Sequence, residues 1–124
     1  MAKRIAVIDD DPDFLGLMDM LLQSEGYEVE GCSEGSKAHE FVRNWKPDLV
    51  YLDIRMAGET GWEILDELKK DPSTRDIVVI VTSASTIEIK AAEPELRAKG
   101  CDILLKPFDI DEVLRKTRQH VGNP

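Results

Sequence analysis

Ile5-Ala6-Val7-Ile8-Asp9-Asp10-Asp11-Pro12 reads as a short strand that runs out into acids and turns directly into a helix. The continuous apolar run from Ile5 to Ile8 suits a strand buried on both faces, because neither side alternates with polar residues. Asp11 can cap a helix that begins at Pro12, where proline's missing amide costs nothing. Phe14, Leu17, Met18, Leu21 and Leu22 follow at helical spacing, and Gly26 ends that helix.

The same alternation repeats along the chain. Tyr27 to Gly31 predicts a weaker strand, and Ser33 or Ser36 can open a second helix with Ala38, Phe41 and Val42 on one face. Leu49-Val50-Tyr51-Leu52 predicts a third strand that stops at Asp53. A loop with Gly58 and Gly61 follows, and Thr60-Gly61-Trp62-Glu63 has the form of a capping box for a third helix carrying Ile64, Leu65 and Leu68. Ile77 to Val81 is the strongest strand, running into Thr82 and Ser83. From Ala84 to Gly100 the composition is helical, but Pro94 removes a backbone hydrogen bond at a cost of about 3 kcal/mol. An irregular stretch followed by a short helix from about Pro94 to Lys99 is therefore expected. Cys101 to Leu105 predicts a fifth strand, and Asp109-Ile110-Asp111-Glu112 a second capping box before the last helix. Strand–helix units of this kind predict an α/β fold. It is one domain over residues 1–124, with a doubly wound five-stranded parallel sheet and helices on both faces.

Composition narrows the function. The 124 residues carry 25 acids against 16 bases, a formal net charge of -9, so no direct nucleic-acid binding is expected. Cys32 and Cys101 stand far apart without a CxxC or Cys/His cluster, which argues against a disulfide framework or zinc site. No apolar stretch approaches the length of a membrane span, and no signal-peptide core follows Met1. A cytoplasmic protein with no membrane contact is the expectation.

In such sheets the active crevice lies at the carboxyl ends of the strands, where strand order reverses. Asp9 and Asp10 follow the first strand, Asp53 the third, Thr82 and Ser83 the fourth, and Lys106-Pro107 the fifth. If the strand order is 2-1-3-4-5, three carboxylates, a hydroxyl and an ammonium share one shallow pocket. Carboxylates so crowded repel unless protonated or bridged by a cation, and an oxygen-only set suits Mg²⁺. One aspartate can also attack a phosphoryl group and become an aspartyl phosphate. Lys106 then supplies a positive charge and Thr82 a hydrogen bond to a phosphate oxygen. Each feature alone has a bland reading: capping acids, a turn aspartate, a loop hydroxyl, a surface lysine. Four of them at one edge weigh against coincidence.

The blocks Ile5 to Asp10, Leu49 to Asp53, Val81-Thr82-Ser83 and Leu105-Lys106-Pro107-Phe108 resemble the signature blocks of response-regulator receiver domains, over nearly the whole chain. The resemblance implies the flavodoxin-like strand order 2-1-3-4-5 and a phosphorylation-dependent switch of a two-component phosphorelay. It implies Asp53 as phosphoacceptor, with Thr82 and Lys106 assisting. Asp10 becomes a direct Mg²⁺ ligand, Asp9 a ligand through water, and the backbone carbonyl of Arg55 a third protein ligand. It also implies a cis Lys106–Pro107 bond, a sensor histidine kinase or histidine phosphotransfer protein as phosphodonor, and a downstream protein effector. Homodimerisation stays open.

Four positions depart from the family pattern. Ile103 stands where an aromatic residue usually reports the state of the threonine, and Ala57 where the loop usually has proline. Arg55 places a long cation at the pocket rim, suited to shielding the phosphoryl group or pairing with an acid. The Pro94 segment is slightly long. Two other functions compete. A Mg²⁺-dependent phosphohydrolase needs a second acid two residues after the nucleophile, and Arg55 occupies that place. The other is a receiver-like interaction scaffold that is never phosphorylated; Ile103 keeps it in play, while Asp9, Asp10, Asp53, Thr82 and Lys106 oppose it. Met18, Met20 and Met56 carry no redox signal. Trp45 and Trp62 read as packing residues, and His39 and His120 as solvent-facing.

Overall fold

The computed structural model describes residues 2–56 and 60–124. Among them, strands and helices alternate as β1 (Arg4–Ile8), α1 (Pro12–Ser24), β2 (Glu28–Cys32), α2 (Gly35–Trp45), β3 (Leu49–Asp53), α3 (Gly61–Lys70), β4 (Val78–Ser83), α4 (Thr86–Ala98), β5 (Asp102–Leu105) and α5 (Ile110–Val121). All neighbouring strands are parallel, in the order β2-β1-β3-β4-β5. This is the doubly wound, flavodoxin-like arrangement.

Side chains alternate across each strand, so consecutive apolar residues feed two cores. Ile5 and Val7 pack with Met18 and Leu22 of α1 and Val113 of α5. Ala6 and Ile8 pack on the other face with Val42 of α2, Leu65 and Leu68 of α3, and Ile89 and Leu96 of α4. Burying one such aliphatic side chain contributes about 1.5–3 kcal/mol. The sheet is thereby held between two helical layers, and its carboxyl edge is a fixed platform.

Helix entry is partly as expected. Asp11 accepts a hydrogen bond from the Asp13 amide at the start of α1, and Thr60 accepts one from Glu63 at the start of α3. Neither Ser33 nor Ser36 caps α2: Glu34 holds that position and makes no side-chain cap bond. The second capping box does not form either, because the Asp109 side chain makes no cap bond. Asp111 and Glu112 in the first turn of α5 supply the charge that the positive end of the helix favours.

The expected break at Pro94 is also absent. Helix α4 runs unbroken from Thr86 to Ala98 with Pro94 inside it. Ile89 and Leu96, on either side of the proline, are 2% and 0% exposed. Burying both offsets the roughly 3 kcal/mol penalty of an internal proline. The histidines are not simply solvent-facing. His39 Nε2 lies 2.8 Å from Asp71 Oδ2, and His120 Nε2 lies 2.9 Å from Asp102 Oδ2. Trp45 is partly buried and stacks on Phe41, as its packing role requires. No helix among the described residues is long and apolar enough to cross a membrane.

Candidate functional site

Register decides what gathers at the carboxyl edge. Asp53 is the direct partner of Thr82 across β3 and β4, and Ile8 is level with Leu52 across β1 and β3. Asp9, one residue beyond Ile8, therefore emerges beside Asp53. One ligand oxygen from each of Asp9, Asp10 and Asp53 lies within 4.8 Å of the others. Lys106, just after β5, anchors its amide on the Ser83 carbonyl at 2.8 Å. Its Nζ lies 2.7 Å from Asp9 Oδ2 and 3.7 Å from Asp53 Oδ2. The Lys106–Pro107 peptide is cis.

The environment tightens this grouping. Asp9 is 1% exposed and Asp53 7%. Burial pushes the Asp53 carboxyl above its ordinary pKa, and the neighbouring charges of Asp9 and Asp10 add to the rise. The Arg55 amide, bonded to Asp53 Oδ1 at 3.1 Å, and the charge of Lys106 oppose it. Such a site gains from a further cation. Its donors are all oxygens, the set that a hard divalent ion takes, so the residues fit Mg²⁺. Thr82 Oγ1 is buried with no hydrogen-bond partner among the described residues, leaving a donor available for an incoming oxygen.

Glycine at position 61 allows this crowding. The Gly61 amide donates to the Ile54 carbonyl at 3.0 Å, and a Cβ there would sit 2.3 Å from the Asp53 carbonyl oxygen. Helix α3 can start so close to the end of β3 only because residue 61 lacks a side chain.

Residues 5–118 match the response regulator receiver domain family. The chain belongs to that family.

Among its relatives are the DNA-binding dual master transcriptional regulator RpaA of Synechocystis and the DNA-binding response regulator MtrA of Mycolicibacterium smegmatis. They are 34% and 30% identical over 93% and 95% of this chain. The chain spans about half the length of these relatives, 47% and 50%. The N-terminal domain of a receiver protein from Methanoculleus marisnigri is 30% identical, with TM-score 0.76 and 98% of both chains covered. The receiver domain of a sensor histidine kinase from Pseudomonas aeruginosa, solved with magnesium in its active-site cleft, shares the fold at TM-score 0.85. It is 22% identical, with 99% of this chain and 100% of that one covered.

Within this receiver domain the structure also shows contacts that the sequence does not announce. Phe14 lies under Lys106, with Nζ 4.3 Å from the ring centroid, and Phe108 meets Phe14 edge-on. The Arg55 guanidinium does not cover Asp53; its Nη2 pairs with Glu88 Oε2 at 2.6 Å. Asp102 is a buried acid away from Asp9 and Asp53, bonded to Arg97, Lys116, His120 and the Ile103 amide. Lys116 and His120 lie 14 and 18 residues away on α5, and these partners follow no motif. Ile103 packs in the core shared with α2, α3 and α4. Ala57 lies outside the described residues.

Proposed function

We propose that Asp53 accepts a phosphoryl group from the phosphohistidine of a sensor histidine kinase or phosphotransfer protein, and that the chain thereby works as a two-component switch. The observation that carries this reading is the convergence of Asp9, Asp10, Asp53 and Lys106, with the Thr82 hydroxyl, which has no partner among the described residues, on the strand beside Asp53. An Asp53 carboxylate oxygen attacks phosphorus, the bond from phosphorus to the donor's imidazole nitrogen breaks, and the imidazole takes a proton from solvent. Lys106 balances charge on the transferring group, and the Thr82 hydroxyl donates to one of its oxygens. Asp9, Asp10, Asp53 and the backbone carbonyl of Arg55 would hold Mg²⁺, which when bound neutralises phosphoryl charge. Output passes to a downstream protein effector. The net charge of -9 argues against this acidic chain itself being what touches DNA.

Incubation with Mg²⁺ and acetyl phosphate, followed by intact mass measurement, tests this. One phosphoryl group is expected, absent in Asp53→Ala. Rapid multiple turnover would indicate a phosphohydrolase, and no adduct an unphosphorylated scaffold.

A further inference from the structure

We propose that Glu88 is a positioning residue for the phosphoryl group: it holds the Arg55 guanidinium away from Asp53 and so sets how long the aspartyl phosphate survives. This rests on Asp53 being the phosphoacceptor.

Arg55 is rooted at the rim of the site, since its own amide donates to Asp53 Oδ1 at 3.1 Å. Its side chain is 70% exposed and turns to Glu88, whose side chain is 26% exposed. Glu88 stands in the first turn of α4, where Ser85 Oγ accepts from its amide. Glu88 Oε2 takes the guanidinium at 2.6 Å, while Oε1 is buried with no hydrogen-bond partner among the described residues. Among the described residues one oxygen of this carboxylate is therefore unsatisfied, and Arg55 supplies the positive charge beside the other.

A phosphoryl group on Asp53 adds a stronger anion at the root of the same arginine. A phosphate attracts a guanidinium through several charge-assisted hydrogen bonds, whereas Glu88 offers one accessible oxygen. The two anions compete for one cation. In hydrolysis a water oxygen attacks phosphorus, the P–O bond to Asp53 breaks, Asp53 leaves as carboxylate, and orthophosphate departs with the water's proton lost to solvent. An arginine resting on the phosphoryl oxygens obstructs that approach; one held by Glu88 leaves it open. The competition also reaches α4. Arg55 leaving Glu88 strips the first turn of its ion pair, a route from Asp53 to α4 that needs no aromatic residue at Ile103.

The test follows decay of the acetyl-phosphate-derived adduct by intact mass in the parent, Glu88→Gln, Glu88→Asp, Arg55→Ala and the Arg55→Ala/Glu88→Gln pair. Glu88→Gln is expected to lengthen the lifetime by about fivefold, the factor that a partly exposed ion pair supplies. Glu88→Asp, which keeps the charge, should stay near the parent. Once Arg55 is alanine, Glu88→Gln should change nothing, a dependence that a merely structural glutamate would not show. Hydrogen exchange adds a readout in the parent alone: amides of residues 86–90 should exchange faster in the adduct. An adduct with equal lifetimes in the parent and Glu88→Gln, or a Glu88→Gln effect that persists without Arg55, overturns the role of Glu88 alone. Failure to form any adduct on Asp53 overturns this role and the switch together.

Discussion

Replacing Gly61 by alanine isolates how the site depends on the close approach of α3 to β3. A Cβ at this position would meet the Asp53 carbonyl oxygen at 2.3 Å, Ile54 Cα at 2.5 Å and the Asp53 carbonyl carbon at 3.0 Å. All three are backbone atoms, so no side chain can swing aside. Opening 2.3 Å to the 3.0 Å that real contacts require moves the first turn of α3 or the end of β3 by about 0.7 Å. Overpacking of this kind costs roughly 1–3 kcal/mol, and rigid neighbours place it near the upper end. Alanine's better helix propensity returns up to about 1 kcal/mol. The net loss is about 2 kcal/mol, or roughly 8 °C in Tm for a domain of this size. Because the displaced carbonyl belongs to Asp53, adduct formation should fall by about 100-fold. Urea unfolding, thermal melts and adduct mass measure these effects. Gly16→Ala is the control: Gly16 lies within α1 with nothing within 4 Å of its Cβ position. That change should stabilise by about 0.5–1 kcal/mol. Equal stability and phosphorylation in Gly61→Ala and the parent would refute the reasoning.

Lys106→Met removes the ammonium 2.7 Å from Asp9 and 3.7 Å from Asp53. Losing a preorganised charge of this kind should slow adduct formation by about 100-fold, and a rate within threefold of the parent would contradict that role. Acid should weaken the fold through Asp102. Burial alone would raise its pKa, but hydrogen bonds from His120, the Ile103 amide and Lys116, together with the Lys116 charge, hold it well below the ordinary range. Its contribution is present above the unfolded carboxyl's pKa near 4 and is lost as pH falls below it. Asp102→Asn should therefore cost about 3 kcal/mol at pH 6, a difference that starts to shrink below about pH 4 and is reduced but still present at pH 3, read from urea midpoints. A constant difference across that range would rule out the linkage.

Much of the sheet was legible because β1, β3 and β4 are short apolar runs that end at or run straight into a polar residue. Ile5 to Asp10 and Leu49 to Asp53 state both the strand and the acid that follows it. Less was legible where local preference and packing disagree. Pro94 argues for a broken helix, yet Ile89 and Leu96 are buried across it. Asp109 resembles a cap and makes no cap bond.

Sequence alone determined the strand–helix alternation and the acids and hydroxyls at the strand ends, because periodicity and residue type are local properties. Tertiary structure alone decided which distant charges share a partner: Lys106 with Asp9, Asp102 with His120, Arg55 with Glu88. Those pairs span 97, 18 and 33 residues. A charged side chain finds such a partner only after the core has set the strands and helices in place, and no local pattern of residues encodes that distance.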